Sequence, residues 1–90
     1  MNITDLEWDD ANMEHIALHS VSPEEVWDVC TGDHIAEKQA NNRYILSGQT
    51  AGGRYIDVVI QHIAAASFRP VTAFDMSENH KRRFRKRLGK

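Results

Sequence analysis

Apolar residues change their spacing once along this ninety-residue chain, and that change limits the fold more than any single motif. Up to Gly32 they recur at helical intervals, as Met13, Ile16 and Ala17 and then as Val26, Val29 and Cys30. Beyond Asn41-Asn42 they alternate, as Ile56, Val58 and Ile60 do, in the period of a half-buried strand. Helices first and hairpin-linked strands after them predict an α+β fold. Its core would be a small antiparallel sheet of three to five strands, with helices covering one face. Ninety residues form one domain, 1–90, burying roughly 60–65% of the unfolded surface.

Local signals place the boundaries. Residues 3–8 predict a short strand, alternating at Leu6, Glu7 and Trp8. Asp9 or Asp10 caps a helix over about 11–19. Ser22-Pro23-Glu24-Glu25 is a capping box with proline at the first helical position, and Gly32 ends that helix. Residues 34–38 predict a short edge strand, and Asn41-Asn42 a turn. Residues 43–50 and 55–62 predict a hairpin closed by Ala51-Gly52-Gly53, with 63–67 as a connection. Residues 68–74 predict a last strand, where Pro70 marks an edge or a bulge. Ser77 caps a final helix.

That final helix reads Lys81-Arg82-Arg83-Phe84-Arg85-Lys86-Arg87-Leu88. Only Phe84 and Leu88 are apolar, four apart, so one narrow stripe can dock while the rest faces water or a polyanion. The chain as a whole is split by charge. Residues 1–40 carry ten acids against Lys38, a net −9, and residues 41–90 carry ten bases against Asp57, Asp75 and Glu78, a net +7. Such a split predicts a polyanion or an acidic partner for the basic half. No apolar run approaches the roughly 18 residues of a membrane span, and no secretion signal opens the chain. Cys30 is alone, within an apolar helical pattern, and predicts a small core residue in a reducing, cytoplasmic setting.

Few residues offer chemistry. His15 and His19 are four apart on a helix, but no third ligand or HExxH order accompanies them, so no metal is expected. Phosphate loops and nucleophile elbows are absent. Arginine remains. Arg43 starts one strand, Arg54 starts its hairpin partner near Thr50, and Arg69 lies in the last strand. With the basic helix these are placed to form a positive groove along the sheet. A guanidinium binds phosphate bidentately and stabilises the charge that develops in phosphoryl transfer. RNA cleavage needs no metal when the 2′-hydroxyl attacks its own phosphate. The alternative is that strand-end arginines only solubilise the surface.

Five stretches carry a family resemblance. They are Glu7-Trp8-Asp9 before a helix with Asn12; His19-Ser20-Val21-Ser22-Pro23-Glu24-Glu25-Val26; Arg43-Tyr44-Ile45-Leu46-Ser47-Gly48; Gly53-Arg54-Tyr55-Ile56; and Phe68-Arg69-Pro70-Val71-Thr72-Ala73 through the basic helix. In order and spacing, across nearly the whole chain, they resemble the BrnT toxins of type II toxin–antitoxin pairs, which have a RelE-like fold. Two positions depart from that pattern: Ser20 stands where the family usually has glycine, and Phe74 where it commonly has arginine. The resemblance implies a cofactor-free endoribonuclease that cleaves mRNA. It also implies a small antitoxin, of ribbon-helix-helix type, through which alone the pair would touch DNA. Carried onto this chain, it implies catalytic roles for Arg43, Arg54 and Arg69, and RNA binding by Lys81, Arg82 and Arg83, with Arg85 and Lys86 on the same helix. A non-catalytic RNA- or protein-binding module of the same fold is the alternative.

Overall fold

Two capping boxes set the N-terminal helices. Asp9 accepts from the Asn12 backbone N–H while the Asn12 side chain accepts from the Asp9 N–H, which starts α1 (Asp10–Ala17). Ser22 and Glu25 close the same reciprocal pair at the start of α2 (Pro23–Thr31). The computed structural model describes residues 1–89. Its other elements are β1 (Asp5–Leu6), β2 (His34–Lys38), β3 (Arg43–Gln49), β4 (Tyr55–Ala64), β5 (Ser67–Asp75) and α3 (Glu78–Arg87). The five strands form one sheet in the order β1-β5-β4-β3-β2, antiparallel except for the β1–β5 pair. The fold is therefore α+β, as the spacing predicts.

One face of the sheet carries the main core. Leu46, Ile56, Val58, Ile60, Phe68 and Ala73 meet Ile16, Val21, Val26, Val29 and Cys30 from α1, α2 and their junction. Cys30 is buried in this layer, and burial pushes its thiol pKa up to about 12. Gly48 lies where α2 crosses β3. A Cβ there would stand 2.8 Å from Val29 Cγ1 and 3.4 Å from the Asp33 carbonyl. Val29 is β-branched and fully buried, so it has little room to yield. Gly48→Ala is expected to cost about 1–3 kcal/mol of stability in a denaturant titration. An unchanged midpoint would show that α2 moves aside freely.

Four expectations are corrected. First, β1 is two residues long, not six, and runs parallel to β5. It covers only Ser67 and Phe68. Beyond it, α1 takes over the edge of β5: Asn12 Nδ2 donates to the Pro70 carbonyl at 2.9 Å, and His15 Nδ1 lies 3.2 Å from the Val71 carbonyl. Second, α1 ends at Ala17 and buries Asn12 and Ile16, whereas Met13 and Ala17 are exposed. The helix meets a strand edge rather than a flat face, so a polar residue serves where an apolar one was expected. Third, Ile63 and Ala64 belong to β4, and the connection is only Ala65-Ala66. Fourth, the helices do not share a face. Ser47 pairs with Asp57, and both point away from the Leu46–Val58 layer. α3 crosses this second face, with Phe84 buried and edge-on to Tyr55 at 6.0 Å between ring centroids.

Pro70 marks a bulge. Val59 pairs with Thr72 and Ile60 with Pro70, leaving Val71 unmatched.

Candidate functional site

α3 owes its position to one stripe of side chains. Ser77 caps it by accepting from the His80 N–H, and Arg85, Lys86 and Arg87 stand at its C-terminal end, where the helix dipole favours cations. His80 and Phe84, four apart, both face the sheet. Lys81 pairs with Glu78 at 3.4 Å, and its ammonium lies 5.4 Å from the Tyr55 ring centre. Arg82, Arg83, Arg85, Lys86 and Arg87 are exposed and have no acidic partner within ion-pair distance among the described residues.

Beneath this helix lies a polar triangle. Ser47 Oγ donates to Asp57 Oδ1 at 2.6 Å, and His80 Nδ1 lies 2.9 Å from Asp57 Oδ2. His80 Nε2 lies 3.3 Å from Ser47 Oγ. Asp57 is 5% exposed and Ser47 6%, so the carboxylate is satisfied from within the protein. A cavity of about 250 Å³ opens beside them, lined by Ile35, Glu37, Ser47, His80, Arg83, Phe84 and Arg87. His80, Arg83, Phe84 and Arg87 follow the i, i+3, i+4, i+7 pattern of one helix face. The arrangement joins an imidazole held by a buried carboxylate to two uncommitted guanidinium groups.

The three strand arginines do not converge. Arg43 pairs in register with Gln61, and Gln61 with Arg69, so the two arginines flank one glutamine in a cross-strand row. Arg43 Nε donates to Gln61 Oε1 at 3.0 Å. Arg69 gives Nε and Nη2 to Asp9 Oδ2 at 3.1 and 2.7 Å. The Asn12 backbone N–H first, and Arg69 second, hold the Asp9 carboxyl below the usual carboxylate range. Arg54 immediately precedes β4, seven residues from Gln61, roughly 24 Å at strand spacing. It is a brace between elements. Nε donates to Asp75 at 2.8 Å, Nη1 to the Ser20 carbonyl at 2.6 Å and to Glu25 at 3.3 Å, and Nη2 to the His19 carbonyl at 2.9 Å. Arg54 is thus set apart from the Arg43–Gln61–Arg69 row, and the three arginines do not line one groove along the sheet. Acids of the N-terminal half, Asp9 and Glu25, neutralise two of them.

Phe74 stands opposite Asp57 in register and is half-buried, its ring edge-on to His19 at 6.0 Å. The aromatic that packs against Phe84 is Tyr55. His19, read as half of a helical histidine pair, lies past the end of α1.

Ser47, Asp57 and His80 escape a reading by motif. The signal was present: two polar residues inside otherwise apolar strands, in register across the hairpin, and a histidine one turn before the only buried side chain of α3. No described helix is long and apolar enough to cross a membrane. Comparisons with protein-family models, with curated proteins and with solved structures find no match for this chain.

Proposed function

We propose that this protein is the toxin of a type II toxin–antitoxin pair, a metal-independent endoribonuclease of the BrnT kind that cleaves mRNA in the cytoplasm. A small antitoxin, a ribbon-helix-helix DNA-binding protein, would neutralise it. One observation carries the reading. Five exposed cations of α3 lack acidic partners among the described residues, although acids elsewhere in the chain neutralise Arg54 and Arg69. Lys38 and Arg43 apart, the side-chain cations without an acidic partner among the described residues are thus gathered on one helix, beside a cavity that His80 lines. Ser20 adds support, because it stands where the resembled family usually has glycine and has φ 57°, a conformation that favours glycine. The second reading, a non-catalytic binding module, draws on the ion pairs of Arg54 and Arg69, which leave those guanidinium groups little to offer a phosphate.

A salt series with single-stranded RNA tests the electrostatic part. Each neutralised phosphate contributes a log–log slope of roughly −0.7 on single strands. Engagement of most of the five cations is expected to give a slope of about −2 to −3.5. Charge reversal of Arg82 and Lys86 together should flatten it by about 1.4. A slope near zero removes RNA as the ligand. Growth arrest with mRNA decay on induction, relieved by the partner, supports the toxin. RNA binding without cleavage leaves the module.

A further inference from the structure

We propose that the cavity between α3 and the sheet takes the scissile phosphate of RNA, with His80 Nε2 as the base that removes the 2′-hydroxyl proton and Asp57 and Ser47 as its positioning residues. This rests on the ribonuclease reading of the basic helix.

Proton accounting in the triangle supports it. Asp57 is buried, and each of its oxygens meets one neighbour: Ser47 Oγ at 2.6 Å and His80 Nδ1 at 2.9 Å. An ionised carboxylate only accepts, so in the neutral ring the proton sits on Nδ1. Ser47 has a single hydroxyl hydrogen, and the shorter contact assigns it to Asp57. Nε2, 3.3 Å from the Ser47 oxygen, therefore receives no hydrogen from it. Its lone pair meets only the Ser47 oxygen, in a ring oriented from behind by a carboxylate and belonging to a residue that lines the cavity.

The lining matches the substrate. Arg83 and Arg87, one turn apart, face the same space and are free to bind a phosphodiester oxygen. Glu37 lines the cavity as well, so the charged groups around His80 are Asp57 and Glu37 against Arg83 and Arg87. A space of about 250 Å³ suits one phosphate with its ribose. In the step proposed, the bond from O2′ to phosphorus forms as the bond from phosphorus to O5′ breaks. The 2′-hydroxyl proton passes to His80 Nε2, and solvent water protonates the departing O5′. The products are a 2′,3′-cyclic phosphate and a 5′-hydroxyl, and His80 returns its proton to solvent. Arg83 and Arg87 stabilise the charge on the phosphoryl oxygens.

The experiment compares wild type with His80→Asn, whose amide can still donate to Asp57, and with Arg83→Ala/Arg87→Ala. Cleavage of a short RNA, its binding and the melting temperature are measured. His80→Asn is expected to lower kcat by about 10²-fold or more, with RNA affinity changed less than about threefold. It should also abolish the rising limb of the wild-type kcat/KM against pH profile. Ser47→Ala should keep that limb and displace it. The arginine pair should lose rate and affinity together. Wild-type cleavage without the limb overturns the inference and needs no variant, so misfolding of His80→Asn does not shelter it. His80→Asn that cleaves at the wild-type rate also overturns it, and leaves the ribonuclease reading standing. Wild type that does not cleave RNA sinks both.

Discussion

Arg54→Ala is expected to destabilise the protein by about 2–3 kcal/mol, far more than a typical surface arginine. The guanidinium links three places in the chain: the carbonyls of His19 and Ser20 after α1, Glu25 in α2, and Asp75 at the end of β5. Two of these acceptors are backbone carbonyls at a junction where Ser20 already has an unfavourable φ of 57°. Truncation would free that junction and leave Glu25 without its cationic partner. The side chain is about a quarter exposed, so screening keeps the ion pairs small, and the carbonyl bonds supply most of the effect. The dependence on pH has a definite sign. The hydrogen bond from Arg54, above all, holds the Asp75 carboxyl below its ordinary value of 3.8. That contribution is complete above the ordinary carboxylate pKa and fades as pH falls below it. Arg54→Ala should therefore lose more stability at pH 7 than at pH 3. Urea titration at both pH values checks this, and a loss under about 0.5 kcal/mol at pH 7 would return Arg54 to a surface role.

Phe84→Ala should cost about 3–4 kcal/mol. Phe84 is 2% exposed and is the one buried side chain of α3, held against Tyr55 at 6.0 Å. The remaining anchors of the helix are His80 on Asp57, the half-buried Leu88, and Lys81 and Arg85 over the Tyr55 ring. Without the ring, a helix with five like charges on its surface has little to hold it to the sheet. RNA affinity should fall as well, because the cations would no longer share a fixed pose. Leu88→Ala should cost markedly less, since Leu88 is already partly in water. Equal losses for the two variants, read from thermal or urea unfolding, would show that α3 is held in some other way.

Local rules made most elements legible. The Ser22–Glu25 capping box, the Asn41-Asn42 turn and the Gly52-Gly53 hairpin each follow from chemistry within a few residues. All three lie where the sequence placed them, with Asn41 and Asn42 at φ 60° and 59°. The stripe of Val26, Val29 and Cys30 is buried for the same reason, because helical period assigns a face without reference to a partner. The errors fall where a partner decides. Periodicity cannot say that β1 runs parallel to β5, since the two are sixty residues apart. Nor can it say that Asn12 is buried, which depends on the Pro70 carbonyl at the strand edge.

The candidate site divides in the same way. The sequence by itself determined that the chain is α+β, that its charge is split, and that the last helix can dock only by a narrow stripe. Composition and short-range spacing suffice for these. Tertiary structure alone decided which cations remain available. Arg54 and Arg69 look alike in the sequence as strand arginines, yet Glu25 and Asp9, 29 and 60 residues away, turn them into braces. The triangle of Ser47, Asp57 and His80 likewise exists only because hairpin register sets two polar residues opposite each other and α3 crosses the face they share. A charge is written in the sequence, but whether it is paired depends on distances that only the packed chain fixes.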